Sequence, residues 1–235
     1  KIAVRVTTKY MIYDDQPEVD SIIKAKMFYG LKPLIEEDVV LDDFLNGQDY
    51  IISSHKVGPT IADDIKRAAV IVIFASLLII FLYILARFRN WQFGLGALAA
   101  LVHDVLIVIG LFSLLHGVMP FSLELDQSFI AAILTVVGYS INDTVVVFDR
   151  TRENLKDYVG SNLEETVSIS INQTFRRSLN TSVTTLLALT AILIFGGDTT
   201  KPFALALMIG IAVGTYSSLC LASPLLVAWE KRKKS

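Results

Sequence analysis

AAVIVIFASLLIIFLYILA, residues 68–86, has no charged side chain in nineteen positions; its only polar side chains are the hydroxyls of Ser76 and Tyr83. At about 1.5 Å per residue a helix of this length reaches roughly 28 Å, close to the ~30 Å hydrocarbon core of a bilayer. The stretch therefore reads as a spanning helix. Four more apolar segments follow, at Phe93–Leu115, Ser128–Phe148, Thr181–Phe195 and Phe203–Ala228. The fourth is short and is expected to recruit flanking residues such as Ser178 and Asn180. The fifth is long enough to tilt. The fold class expected is an α-helical polytopic membrane protein with five transmembrane helices and a small α+β extracytoplasmic domain. Five spans are unusual for a transport protein built from repeated halves, so a sixth is expected before Lys1.

Composition agrees. Of 235 residues 53% are hydrophobic and 19% charged, and the mean hydropathy is +0.57. Soluble domains are usually more charged and less apolar than this. The net charge of −2 gives no sign of a nucleic-acid partner. The single cysteine, Cys220, lies in an apolar run and is expected to be a small buried hydrophobe.

Lysine and arginine set the expected orientation. The turn ARFRNWQ, the linker bearing Arg150, Arg152, Lys156, Arg176 and Arg177, and the tail EKRKKS are all basic. The opposite loops, HGVMPFSLELDQ and GGDTTKP, hold one lysine between them. The basic elements are expected in the cytoplasm and the N-terminal domain outside. Domain boundaries follow: an extracytoplasmic domain over 1–60, a helix bundle over 61–229, and a basic tail over 230–235. Within the bundle, the linker 150–177 carries Leu155, Tyr158, Leu163, Val167 and Ile171 at helical spacing. It is expected to hold a helix, lying either on the membrane interface or on protein.

The N-terminal segment mixes patterns. Ile2, Val4 and Val6 alternate as in a strand, and a second strand is expected at Asp49–Ser53. Pro17 precedes an expected helix, EVDSIIKAKMFYG, ended by Gly30 and Pro33. Thr60, followed by Asp63 and Asp64, suits the start of a helix that runs straight into the first span.

Ionisable residues inside spans are costly, at about 2.5–3.5 kcal/mol near the bilayer centre on insertion scales, and are expected to face protein or water with partners. Asp143 sits about 15 residues into its span, just past the midpoint, and shares a helix face with Tyr139, Asn142 and roughly Thr135. Arg177, Thr181, Thr184 and Ala188 form the stripe expected to face it from the fourth span. Desolvation favours the neutral form of such a carboxyl and a nearby arginine the charged one, so a rearrangement can make it take up and release a proton. A packing carboxyl held by hydrogen bonds is the alternative. His103–Asp104 in the second span reads as a second relay point or as a helix–helix hydrogen bond. Gly94, Gly96, Gly210 and Gly214 suit close helix approach, the last two as a G-x-x-x-G. No P-loop, H-E-x-x-H, G-x-S-x-G or Cys/His cluster with metal spacing occurs. No enzyme activity or cofactor is expected, and any energy used is expected to come from an ion gradient.

The stretches LTVVGYSINDTVVVFDRTREN (134–154), ISINQTFRRSLNTSVTTLL (169–187) and FALALMIGIAVGTYSS (203–218) resemble the SecF family of protein-export membrane proteins. FGLGALAALVHDVLI (93–107) and KVGPTIADDI (56–65) resemble it as well, so the likeness runs from about residue 50 to the end. The stretch TTKYMIYDDQPEVDSIIKAKMFYGLKP (7–33) looks more like the form found in fused SecD–SecF chains. The resemblance implies membership of the resistance-nodulation-division superfamily, with six helices per half. It also implies a bacterial inner-membrane location, work beside the SecYEG channel on exported polypeptides, a SecD partner (fused or separate), and drive by the proton-motive force, or sodium in some members. In that pattern the Asp of S-I-N-D-T, here Asp143, carries the ion, and the Arg of N-Q-T-x-x-R, here Arg177, is its companion. Asn142, Thr144 and Asp104 complete the expected ion pathway. Arg176 stands where the motif often has a small residue, which leaves open which arginine pairs with Asp143. Two other functions fit the same spans: a structural scaffold that moves no ion, and a small-molecule exporter of the same superfamily. The short outer domain argues against the exporter.

Overall fold

The computed structural model describes residues 6, 8, 10–11, 18–34, 39–46, 59–121, 123–157 and 162–234, without the side chains of 46, 59–63 and 230–234. The chain divides into two units, 1–67 and 68–235.

In the first unit α1 (Glu18–Leu31) is followed by a 3₁₀ turn (Lys32–Leu34) and α2 (Leu41–Asn46). Glu18 and Asp20 occupy the first turn of α1, where negative charge complements the helix dipole. Val19, Phe28 and Phe44 are buried, and the rings of Phe28 and Phe44 lie 5.4 Å apart. The helix expected from EVDSIIKAKMFYG is present. The expected strands, apart from Val6, lie outside the described residues, and every regular element among the described residues is helical.

Among the described residues five helical segments are long and apolar enough to span a bilayer: Asp64–Phe88, Trp91–Leu115, Gln127–Asp157, Leu163–Phe195 and Lys201–Trp229. They belong to α3 (Pro59–Phe88), α4 (Trp91–Leu115), α5 (Gln127–Asp157), α6 (Leu163–Phe195), and α7 (Lys201–Ser217) with α8 (Ser223–Lys234). The chain is thus a multi-pass membrane protein. α3 is continuous from Pro59, as its sequence anticipates. Among its described side chains it buries only Leu77, Ile84 and Phe88, leaving a broad apolar surface. Arg89 adopts φ 59° and Asn90 an extended N-cap, so the chain reverses within two residues into α4.

Among the described residues of 150–177, helix is present and is continuous with the neighbouring spans. Residues 150–157 complete α5, and α6 opens at Leu163 after Asn162, whose side chain accepts a hydrogen bond from the Glu164 N–H. The fourth span is therefore not short. Its 33 residues give roughly 50 Å of helix, well beyond the hydrocarbon thickness. The early turns of α6 bury Thr166, Val167, Ser170 and Thr174 against protein.

α7 lies among α4, α5 and α6. Gly210 and Gly214, one turn apart, face Val136 and Ser140 of α5, also four residues apart. A side chain on Gly210 would collide with Val136, with Cγ1 at 2.6 Å and Cβ at 2.9 Å. Gly96 of α4 meets the Ala222 carbonyl in the same way, at 2.9 Å. These contacts give the G-x-x-x-G its job, a close backbone approach.

Between α7 and α8 the helix widens into a π-turn, Ser218–Ala222. Pro224 supplies the cause. It has no N–H to give the Cys220 carbonyl, and its ring crowds that carbonyl, so the ladder is locally respaced. Cys220 on this turn is exposed, not buried as its apolar neighbours suggest. The buried face of the turn carries Ser218, Leu219 and Ala222 instead.

Apolar packing forms two clusters. One joins Leu101, Val105, Val108 and Phe112 of α4 to Phe129, Ile133 and Val136 of α5 and Ala204, Leu207 and Ile211 of α7. The other joins Phe88, Phe93, Phe148, Ala222 and Leu226. In it Phe88 and Phe93 stack at 5.1 Å, and Phe148 meets Phe93 edge-on at 5.0 Å. On α5 and α7 a polar layer falls between the two.

Candidate functional site

The polar layer is built from side chains at helix crossings. Asp104 of α4 is fully buried. Its Oδ2 accepts hydrogen bonds from Ser140 Oγ of α5 at 2.6 Å and Ser217 Oγ of α7 at 2.8 Å. His103 Nδ1 lies 3.1 Å from Oδ1. The helix–helix hydrogen bond anticipated for His103–Asp104 is thus present, with serines as its partners. One turn along α5, Thr144 Oγ1 shares a 2.9 Å hydrogen bond with Ser218 Oγ, the first residue of the π-turn. Both hydroxyls also reach the Ser140 carbonyl, each at 3.2 Å.

Asp143 is 3% exposed and points to α6. The two α6 side chains that act on its carboxyl are Ser178 and Arg177. Ser178 approaches as a hydrogen-bond partner but out of good alignment, and Arg177 acts only through its charge. Oδ2 of Asp143 and Oγ of Ser178 are both buried without a well-aligned hydrogen-bond partner. Arg177 is exposed and forms no ion pair with Asp143, so its influence is electrostatic and longer in range. Arg176 is exposed too.

The helical phase of α6 explains this. Its buried hydroxyl stripe is Thr166, Ser170, Thr174, Ser178 and Ser182, each four residues from the last. The expected stripe of Arg177, Thr181, Thr184 and Ala188 lies one position aside and is exposed. Thr166, Ser170 and Thr174 return their hydroxyls to the carbonyl four residues back, the usual way a helix satisfies such groups. Ser182 bonds Thr215 of α7 at 2.6 Å. Ser178 alone in this stripe lacks a well-aligned partner, and it is the one beside Asp143.

The remaining site residues separate. Thr144 is buried in the layer, but Asn142 and Thr135 are exposed on the outer side of α5. Tyr139 reaches Thr185 at 3.2 Å. Nearer the basic turns, Asn154 donates to Ser170 at 2.8 Å and to Gln173 at 3.0 Å. Asp149 pairs with Arg87 at 3.1 Å beside the phenylalanine cluster. Among the described residues no group of three His, Cys, Asp or Glu is placed to hold a metal. Ser140, Ser178, Ser217 and Ser218 are the site residues that the sequence reading missed. Their signal was the four-residue spacing of hydroxyls on α6 and the proline behind the π-turn.

Thr144→Val, which keeps the shape and removes the hydroxyl, is expected to cost about 0.6 kcal/mol, the mean for interhelical hydrogen bonds in a membrane protein. Equilibrium unfolding of the purified protein in bicelles measures it.

The chain is thus a multi-pass helical bundle with hydroxyls and carboxyls gathered at its helix crossings and an unpaired carboxyl oxygen among them. The family model described as "Protein export membrane protein SecD/SecF, C-terminal" matches residues 40–232. The chain belongs to this family of protein-export membrane proteins. It is 51% identical over 195 residues to the protein translocase subunit SecF of Rhodothermus marinus, an overlap of 83% of this chain and 63% of that protein. It is 46% identical over 185 residues to the protein translocase subunit SecDF of Thermus thermophilus, covering 79% of this chain and 24% of that protein. The crystal structure of SecDF, a translocon-associated membrane protein from the same organism, superposes with a TM-score of 0.66 at 47% identity. That match covers 75% of this chain and 24% of the solved one. The chain thus spans less than two thirds of that SecF and about a quarter of SecDF. Matching segments occur both in a separate SecF subunit and within a single SecDF chain.

Proposed function

We propose that this chain acts as the SecF part of an accessory to the Sec protein translocase. In this reading it uses the proton-motive force to assist polypeptide export across the bacterial inner membrane, together with SecD and beside the SecYEG channel. Asp143 carries the proton. Arg177 is its charged companion, and Asn142, Thr144 and Asp104 are further polar groups of the pathway. The coupling ion is a proton, with sodium as the variant to compare. The N-terminal domain faces the periplasm and the C-terminus the cytoplasm, as the basic turns favour.

The observation that carries the reading is the Asp143 carboxyl, buried within a span, with one oxygen lacking a well-aligned partner and with Ser178 and Arg177 of α6 acting on it. A buried polar group without a partner is costly. A group whose hydrogen bonding is completed only in another arrangement of α5 and α6 favours movement between the two. Moving one charge through 100 mV supplies about 2.3 kcal/mol, enough to bias such a two-state equilibrium appreciably.

The test is reconstitution of the full complex, with SecD and the channel, in proteoliposomes carrying an imposed proton gradient. Export of a model precursor is expected to rise with the gradient and to fall when an ionophore collapses it. Export indifferent to the gradient contradicts the reading and favours a scaffold.

A further inference from the structure

We propose that Asp104 is a positioning residue: its carboxyl anchors the π-turn Ser218–Ala222 and, through Ser140, sets the turn of α5 that carries Asp143. The part concerning Asp143 rests on the function proposed above; the anchoring of the π-turn does not.

The anchor is a single buried atom joining three helices. Asp104 Oδ2 on α4 receives Ser140 of α5 and Ser217 of α7. Ser217 is the residue immediately before the π-turn, so its hydrogen bond holds the point where the helix changes pitch. Ser140 is held twice. Its hydroxyl donates to Asp104, and its carbonyl accepts from Thr144 and from Ser218, the first residue of the turn. Asp143 lies between Ser140 and Thr144 in the same helical turn, so displacing the Ser140–Thr144 pair rotates it relative to Ser178.

The node is also tight. A Cβ on Gly214 would lie 3.0 Å from Ser140 Cβ and 3.5 Å from Asp104 Oδ2. Glycine there lets α7 approach closely enough for Ser217 to reach the carboxyl. Pro224 makes the α7–α8 helix ready to change pitch, and Asp104 selects where it does so. π-turns of this kind occur frequently at functional sites.

Hydrogen–deuterium exchange on the complete complex, paired with export assays, tests the proposal. Asp104→Asn can still offer both hydroxyls its amide oxygen in the place of Oδ2, but a neutral acceptor holds each about half as strongly as a carboxylate, so the two weakened hydrogen bonds together lose about as much as one. Exchange over residues 214–224 is expected to rise about tenfold, the order associated with losing one buried hydrogen bond to a carboxylate. Exchange over 182–192 of α6 is expected to stay native. Gradient-dependent export is expected to fall, and adding Asp104→Asn to Asp143→Asn is expected to bring no further loss, because both act through one group. Unchanged exchange over 214–224, or an equal rise in α6, overturns the anchor. An added loss in the double variant overturns the link to Asp143. If Asp143→Asn itself exports normally, the proton-carrier reading fails, and the exchange result alone still decides the anchor. Should Asp104→Asn not assemble, Ser217→Ala decides: it keeps the carboxyl and removes one hydroxyl. The same local rise supports the anchor, and no rise overturns it.

Discussion

Asp143→Asn is expected to abolish the gradient-dependent part of export while leaving the complex assembled. Asparagine keeps the size of the side chain and can face Ser178 as the carboxyl does, so packing of α5 on α6 is preserved. What disappears is the ability to gain and lose a proton. A charge moved across 100 mV supplies about 2.3 kcal/mol, so losing that bias lowers the driven rate by roughly 50-fold. The export that persists is expected to equal that of the native complex with the gradient collapsed. The assay is the proteoliposome reaction with and without ionophore, normalised to assembled complex. A native response from the variant removes Asp143 from the coupling step and returns it to a packing role.

Gly210→Leu is expected to prevent assembly. Even a methyl at this position collides with Val136, which is fully buried and β-branched and so has few rotamers to escape into. Overpacking of this kind costs typically about 1–3 kcal/mol and more when the neighbour cannot yield. Leucine adds three carbons to that conflict. α7 would be pushed from α5, and the Asp104–Ser217 and Thr144–Ser218 hydrogen bonds both lie about two turns further along α7. Loss of the folded complex in membranes, read by protease resistance, is the expected result. Gly210→Ala is expected to be milder, and Gly210→Ala combined with Val136→Ala should recover most of the stability by restoring the combined volume. Native resistance in Gly210→Leu contradicts the close α5–α7 approach.

Much of the fold was legible because the bilayer simplifies the reading. Charge-free runs near the hydrocarbon thickness have few fates, and all five spans emerge where hydropathy puts them. The boundaries were less legible. Helix does not stop where apolar sequence stops: α5 continues through charged residues to Asp157, and α6 begins eighteen residues before Thr181. Capping at Asn162, not hydropathy, marks that start. The site was legible in its carboxyls and not in its serines. Asp143 and Asp104 stand out because an acid in a span demands a reason, whereas a serine does not. The facing stripe on α6 was misphased by one residue: Arg177 drew the reading to its own face, while burial follows Ser178. Cys220 was misplaced because its expectation rested on apolar neighbours alone, and in a span an apolar run can face lipid as readily as protein.

The most direct test of the central claim is infrared difference spectroscopy on the assembled complex, comparing it with and without an imposed proton gradient. The account predicts a protonated-carboxyl C=O band that changes intensity with the gradient, shifts on deuteration and is absent in Asp143→Asn. A spectrum without such a band, or one that is the same in the variant, would show that Asp143 keeps one protonation state while the complex works, and the coupling proposed for it would be wrong.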